Sequence, residues 1–314
     1  MIGVIGSGAF GTALAIALSS DGTRVALWAR DAAHAAAMAA ERANGRRLPG
    51  HDFPATLNPT ADLGDLADAD ALLLVVPAQQ TAGFLARHRL PNAPLVLCAK
   101  GVSQDDGLLQ TDLARGFGDL AVLTGPGFAT EIAAGKPTAL TLAAPDPLAQ
   151  TLQPLLSRRL LRLYRSDDMT GAQLGGALKN VIAIAAGIAH GAGLGHSARA
   201  ALITRGFAEM RRLARAMGAR DETLAGLSGF GDLVLTCGSD TSRNFAFGAA
   251  LGAGEAGALV TTEGIATARA TIGLAARHRV EMPIAEAVVS VLDKTNTVAG
   301  AMGALLDRPL GKED

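Results

Sequence analysis

The N-terminal stretch MIGVIGSGAFGTALAIALSS, residues 1–20, decides the fold. A short apolar run, IGVI (2–5), enters the turn Gly6-x-Gly8-x-x-Gly11, and TALAIALSS continues from it as an apolar helix. In that order each glycine has a task. The first permits a tight turn, the second lets a pyrophosphate approach the backbone, and the third lets the helix pack closely. A secretory signal would be apolar too, but this stretch has no basic leading segment and glycines interrupt it.

Further along, short apolar runs recur up to about residue 165: RVALW (24–28), ALLLVV (71–76), PLVLC (94–98), LAVLT (120–124), TALTLA (138–143) and LLRLY (160–164). They do not alternate with polar residues, so they read as strands buried on both faces of a mostly parallel, doubly wound sheet flanked by helices. After RSDDMTG (165–171) such runs nearly vanish and alanine-rich helical periodicity takes over. The reading is α/β, with a dinucleotide-binding domain over 1–170 and an all-helical substrate domain over 171–314. A length of 314 residues with 49% hydrophobic and 18% charged residues can bury two cores. The net charge of −1 gives no global pull toward nucleic acid or an acidic membrane, although a local basic pocket is compatible with it. Two cysteines, Cys98 and Cys237, are too few for a disulfide framework. The chain reads as a soluble cytoplasmic protein with no membrane insertion.

Polar intrusions mark the chemistry. The second strand ends LWARD, where Arg30 suits the extra phosphate of NADP and leaves NAD possible, because Asp31 follows. Lys100 stands just after PLVLC, at the carboxyl end of a strand, where open parallel sheets bind ligands. TGPGFATEIAAG (124–135) repeats the strand, glycine loop and helix arrangement. In GALKNVIAIAAG (176–187) a charge interrupts an apolar helix. Leu174, Leu178, Ile182 and Ala185 form one stripe, and Lys179 projects from an opposite face of Ala172, Gly175, Gly176, Ala183 and Ala186. Such a helix is buried all round, and its lysine must meet a carboxylate or a ligand. In GLSGFGDLVLTCGSDTSRN (226–244), Asp232 and Thr236 share a helical face, and Arg243 with Asn244 suits a phosphate dianion. The six histidines show no metal-ligand spacing, so no metal is expected, and no G-x-S-x-G elbow is present.

Together GSGAFGTALA, VVPA, AKG, GPGFATEIAAGKPTA, GALKNVIAIAAGIAHGAGLG, AALITRG, GFGDLVLTC, SRN and TTEGIATA resemble the bacterial NAD(P)-dependent glycerol-3-phosphate dehydrogenases. The resemblance implies a Rossmann-type domain followed by a helical one. It implies reduction of dihydroxyacetone phosphate to sn-glycerol 3-phosphate, the phospholipid backbone precursor. It makes Lys179 the catalytic lysine, with Lys100, Gly125, Gly127, Asn180, Asp232, Thr236, Ser242, Arg243 and Asn244 at the substrate. At the cofactor it puts Gly6, Gly8, Ala9, Phe10, Gly11, Arg30, Lys100, Ala129, Arg243, Thr261 and Glu263. NADP or NAD is implied, with NADP favoured by Arg30, and a homodimer is the family expectation. There are departures: a serine or threonine is usual where Gly127 stands, an asparagine where His196 stands, and a tyrosine where Arg47 stands. FAFG also follows Asn244 where the family is usually basic.

Two other readings remain open. Another two-domain hydroxyacid or hydroxyacyl dehydrogenase would need other polar groups in the helical domain, and no histidine base occupies the Lys179 position. A non-catalytic NADP-binding sensor would have no need of a proton donor.

Overall fold

The apolar runs form strands whose successive residues face two different cores. In the computed structural model, which describes residues 1–255 and 263–309, Ile2, Val4, Leu27, Leu73 and Val96 pack into one core. Ile5, Trp28, Leu72, Leu74, Leu95 and Leu97 pack into the other. Burial on both faces is what a strand without polar alternation requires.

The chain divides into two compact units. The first comprises Met1–Ala99 and Gln110–Met169; the second comprises Lys100–Leu109 and the chain from Thr170 on. The first unit contains β1 (Ile2–Ile5), β2 (Val25–Trp28), β3 (Ala43–Asn44), β4 (Leu48–Asp52), β5 (Leu57–Thr60), β6 (Ala71–Leu74), β7 (Leu95–Leu97), β8 (Leu120–Thr124), β9 (Thr138–Ala143) and β10 (Leu161–Ser166). One sheet runs in the order β10-β9-β8-β7-β6-β1-β2-β5, and β3 with β4 forms a separate ribbon. Its pairs are parallel except β8 with β9. Helices α1 (Ala9–Ser19), α2 (Ala32–Glu41), α3 (Thr81–Arg87), α4 (Gln110–Leu113), α5 (Ala129–Ala133) and α6 (Asp146–Leu156) complete it. This is a Rossmann-type sheet, as expected. The one sheet strand that periodicity missed is β5, LNPT. It lies at the sheet edge, where Pro59 loses no ladder bond that an inner strand would need.

The second unit is helical: α7 (Met169–Gly191), α8 (Gly195–Ala216), α9 (Asp221–Ala225), α10 (Asp232–Cys237), α11 (Arg243–Gly252), α12 (Glu263–His278), α13 (Pro283–Leu292) and α14 (Val298–Leu306). The segment 100–109 joins it through Val102 and Leu109, which enter the same core as Leu174 and Leu178. Arg277 also donates to the carbonyls of Asp106 and Gly107, at 2.7 and 3.3 Å. By length and hydropathy α7 would pass for a membrane span, yet it is buried from Gly171 to Ala189. Its small residues explain how. A Cβ on Gly187 would lie 2.1 Å from the Phe245 carbonyl oxygen, and one on Gly191 1.9 Å from that of Ala249. Across the contact, Gly248 and Gly252 stand equally close to the carbonyls of Ile184 and Ile188, at 2.2 Å each. Glycine on both sides lets α7 and α11 touch backbone to backbone.

Elsewhere in this unit, Glu209 of α8 accepts from the N–H groups of Ile284 and Ala285, at 2.8 and 3.4 Å, and so caps α13. Burial pushes that carboxyl up to about 7 even though both donors pull it down.

Gly187→Ala should force α7 and α11 apart. The expected cost is about 1–3 kcal/mol, the range for overpacking a tight contact. Denaturant unfolding of the variant against the parent protein measures it directly.

Candidate active site

The N-terminal turn is built to accept a bound group. Gly6 takes φ +118°, and a Cβ on it would lie 2.6 Å from the Val75 carbonyl oxygen. A Cβ on Gly11 would fall 2.0 Å from the Gly6 carbonyl, so only glycine lets α1 start this close to β1. Gly8, the N-cap of α1, makes no side-chain cap bond, and a Cβ on it would meet nothing within 4 Å. Open space before a helix N-terminus suits a pyrophosphate, so the residues present fit a dinucleotide. Ala9 and Phe10 open the helix.

One residue of this region escaped the sequence reading. Asn44 is fully buried and donates to the Ser7 carbonyl at 3.0 Å and to Thr12 Oγ1 at 2.8 Å, fixing the glycine turn from beneath. Nothing in the local stretch RANGRR (42–47) signals those distant partners.

At the end of β2 the two candidates for recognising the ribose separate. Asp31 is the N-cap of α2 and accepts from the N–H groups of Ala33 and His34, at 3.0 and 3.4 Å. Arg46 stands 3.8 Å from its other oxygen. Arg30 is exposed and makes no ion pair among the described residues. This corner therefore presents two arginines around a carboxylate with one oxygen engaged in the cap, and Arg46 too was missed in the sequence. The second glycine loop has Gly125 at φ +140°, held over β9 with Leu140 Cα 3.1 Å from its Cβ position. Ala129 begins α5. At Gly127 a Cβ would meet Ile132 Cδ1 at 2.9 Å, so glycine leaves room for that side chain.

The second unit brings together Lys179, Asp232, Thr236 and Lys100. Lys179 Nζ donates to Asp232 Oδ1 at 2.8 Å and to Thr236 Oγ1 at 2.7 Å. Lys100 Nζ donates to the other oxygen of the same carboxylate, Oδ2, at 2.8 Å. The Thr236 hydroxyl donates its own proton to the Asp232 carbonyl at 2.6 Å, which leaves a lone pair facing Lys179. Asp232 and Lys179 are only 1% and 7% exposed. Burial acts to raise the Asp232 carboxyl, but the charges of Lys100 and Lys179 outweigh it and hold the group below the ordinary carboxylate range. Lys179 is lowered to about 8: burial is the main cause, Lys100 adds to it, and Asp232 opposes both. Neighbouring Cys237 goes the other way, its thiol pushed up by burial to about 12, so it is a packing residue.

Local backbone makes this cluster possible. A π-helical turn, Leu227–Gly231, leads straight into α10, and such turns often accompany functional sites. A Cβ on Gly175 of α7 would lie 2.7 Å from the Ser228 carbonyl oxygen and 2.9 Å from Gly229. The turn therefore lies directly on α7, one helical turn before Lys179. Asn180 Nδ2 reaches the Lys100 carbonyl at 3.3 Å, and Asn244 Nδ2 donates to Asn180 Oδ1 at 2.9 Å. Ser242 is the N-cap of α11, accepting from the Phe245 N–H at 3.3 Å, so its hydroxyl oxygen is committed to the helix. Arg243 is exposed at the start of α11. Glu263 begins α12, and Thr261 lies outside the described residues.

A Rossmann-type unit with an open glycine turn, and a helical unit with a buried lysine held by a carboxylate, define an NAD(P)-dependent dehydrogenase. Sequence models of the two regions of NAD-dependent glycerol-3-phosphate dehydrogenase match here, the N-terminal one over residues 1–150 and the C-terminal one over 168–303. The glycerol-3-phosphate dehydrogenase (NAD(P)+) of Ruegeria sp. (strain TM1040) is 53% identical over 99% of both chains. The protein of that name from Cereibacter sphaeroides is 53% identical over 100% of both. The crystal structure of glycerol-3-phosphate dehydrogenase from Coxiella burnetii superposes with a TM-score of 0.91, at 38% identity over 98% of each chain. The chain belongs to the NAD-dependent glycerol-3-phosphate dehydrogenase family of oxidoreductases.

Asp232→Asn should leave two ammonium groups facing a neutral amide. Lys179 then falls further below about 8, and turnover at neutral pH is lost together with about 3–5 kcal/mol of stability, the cost of breaking a buried pair. Steady-state kinetics and thermal melting of the variant check both outcomes.

Proposed function

We propose that this chain catalyses the reversible NAD(P)H-linked reduction of dihydroxyacetone phosphate to sn-glycerol 3-phosphate, with Lys179 as proton donor to the C2 oxygen. When bound, the dinucleotide supplies the hydride. The observation that carries the reading is the buried ammonium of Lys179, fixed by Asp232 at 2.8 Å and Thr236 at 2.7 Å. A donor held in place before reaction stabilises developing oxyanion charge without reorganising. Because two ammonium groups share one carboxylate, the cluster keeps an excess positive charge, which suits a substrate that gains negative charge on oxygen. With a pKa of about 8, Lys179 can give its proton in one direction and take one up in the other.

The remaining roles follow from chemistry. Lys100 supplies the second ammonium at the substrate. Arg243, exposed at the start of α11, offers a guanidinium fork to the phosphate dianion. Asn180 and Asn244 hold the Lys100 and α11 backbones in register through the hydrogen bonds described above. Arg30, exposed at the end of β2, meets the 2′-phosphate of NADP, while one oxygen of Asp31 caps α2. The product would feed glycerophospholipid synthesis.

Lys179→Ala should lower kcat by about 10²–10⁴-fold while cofactor binding stays near normal. In the parent enzyme, reduction should weaken as pH rises through about 8, because the donor must be protonated, and oxidation should strengthen over the same window. Opposite pH profiles in the two directions, measured at 340 nm, test this; near-parental kcat in the variant contradicts it.

Arg30→Ala should weaken NADPH binding far more than NADH binding. Quenching of Trp28, the single tryptophan, provides the titration, and equal losses for both cofactors would remove Arg30 from that role.

A further inference from the structure

The edge strand β10 of the first unit carries a basic, partly apolar face that the dehydrogenase chemistry does not use. Residues 158–165 contain four arginines, Arg158, Arg159, Arg162 and Arg165, and no Asp or Glu, with Asp146 before the stretch and Asp167 and Asp168 after it. Two of the four are engaged. Arg158 donates to the carbonyls of Leu18, Leu155 and Ser157 and pairs with Asp21 at 3.1 Å, and Arg165 stands 3.5 Å from Asp146. The guanidinium groups of Arg159 and Arg162 are exposed and make no ion pair among the described residues. Beside them Leu160 and Tyr164 are 42% and 52% exposed. Arg162 and Tyr164 alternate onto one face of the strand, and Arg159 with Leu160 forms the turn that precedes it. The adjoining cavity, about 910 Å³, is lined by Ile16, Ile132, Leu161 and Leu163 as well as by Arg159 and Arg162.

Several occupants can be weighed. A second copy pairing through β10 would set arginines against arginines, and like charges directly opposite are destabilising. An acidic peptide adding as a further strand needs a free edge, and this edge is blunted. Leu161 exchanges both of its outward backbone bonds with Arg158, at 2.8 and 3.1 Å, and the Leu163 carbonyl accepts from Gln153 at 2.8 Å. What remains is a charged and apolar surface rather than a backbone template. Arginine beside exposed leucine and tyrosine fits a boundary that is anionic on its outside and apolar beneath.

We propose that this face docks the protein on an anionic phospholipid surface. Arg159 and Arg162 contact headgroup phosphates, while Leu160 and Tyr164 enter the interfacial layer and nothing spans the bilayer. The chain's net charge of −1 makes the contact local and reversible.

Flotation of the full chain with vesicles tests the proposal, comparing phosphatidylcholine alone with phosphatidylcholine containing phosphatidylglycerol. Binding is expected only with phosphatidylglycerol, and it should weaken with added salt. Each arginine near such a surface contributes about fivefold, so Arg159→Gln with Arg162→Gln should lower partitioning by about 25-fold. Dehydrogenase kinetics in solution should stay unchanged, since neither residue belongs to the site described above. Tyr164→Trp, which keeps all the arginines, should show an emission blue shift with phosphatidylglycerol vesicles and none with phosphatidylcholine. Equal behaviour toward the two vesicle types, or full binding by the double variant, overturns the proposal. So does self-association in light scattering that the double variant abolishes while vesicle binding is absent, because the face would then be a contact between copies.

Discussion

A single carboxylate, that of Asp232, holds together the buried charge cluster of the helical unit. It is 1% exposed and takes one ammonium on each oxygen, Lys179 on Oδ1 and Lys100 on Oδ2. Isolated, any of these three charges would be expensive to bury; together they are tolerated because each satisfies another. Two cations on one anion leave the cluster net positive. Burial and Lys100 bring Lys179 down toward neutrality, while Asp232 keeps it from falling further. That balance brings the amine to about 8, well below an ordinary lysine.

The geometry rests on backbones that come unusually close. Gly175 allows the π-helical turn before Asp232 to lie on α7, and Gly187, Gly191, Gly248 and Gly252 seat α11 against the same helix. The segment 100–109 is fastened to this unit by Val102, Leu109 and Arg277, which carries Lys100 to Asp232. One helix thus anchors the lysine, the asparagine network and the start of α11. The glycine-rich composition of the chain makes these contacts possible.

Much of this was legible in the sequence, and the reasons are specific. Strands buried on both faces must be continuously apolar, so the runs at 2–5, 71–76 and 138–143 betrayed themselves. An all-small face on a long apolar helix foretold the burial of α7 and singled out Lys179, and the i, i+4 spacing of Asp232 and Thr236 put both on one side of α10. Other features had no local signature. β5 carries a proline at an edge, Asn44 acts through partners over thirty residues away, and nothing near Lys100 announces that Arg277 will fasten its loop. That Asp31 caps α2 was likewise not visible before the helix itself was. Arg243 and Arg30 were singled out by the family resemblance and by the chemistry of a guanidinium, and both side chains lie exposed.

Burial, Asp232 and Lys100 together set the protonation of Lys179. Titration of the lysine Nζ resonances in selectively labelled protein, with Lys179→Met assigning the signal, measures it without recourse to turnover. The account predicts one lysine titrating near 8, well apart from the exposed lysines, and moving lower when Asp232 is changed to asparagine. A Lys179 signal that titrates with the ordinary lysines, or that does not respond to the loss of Asp232, would contradict it.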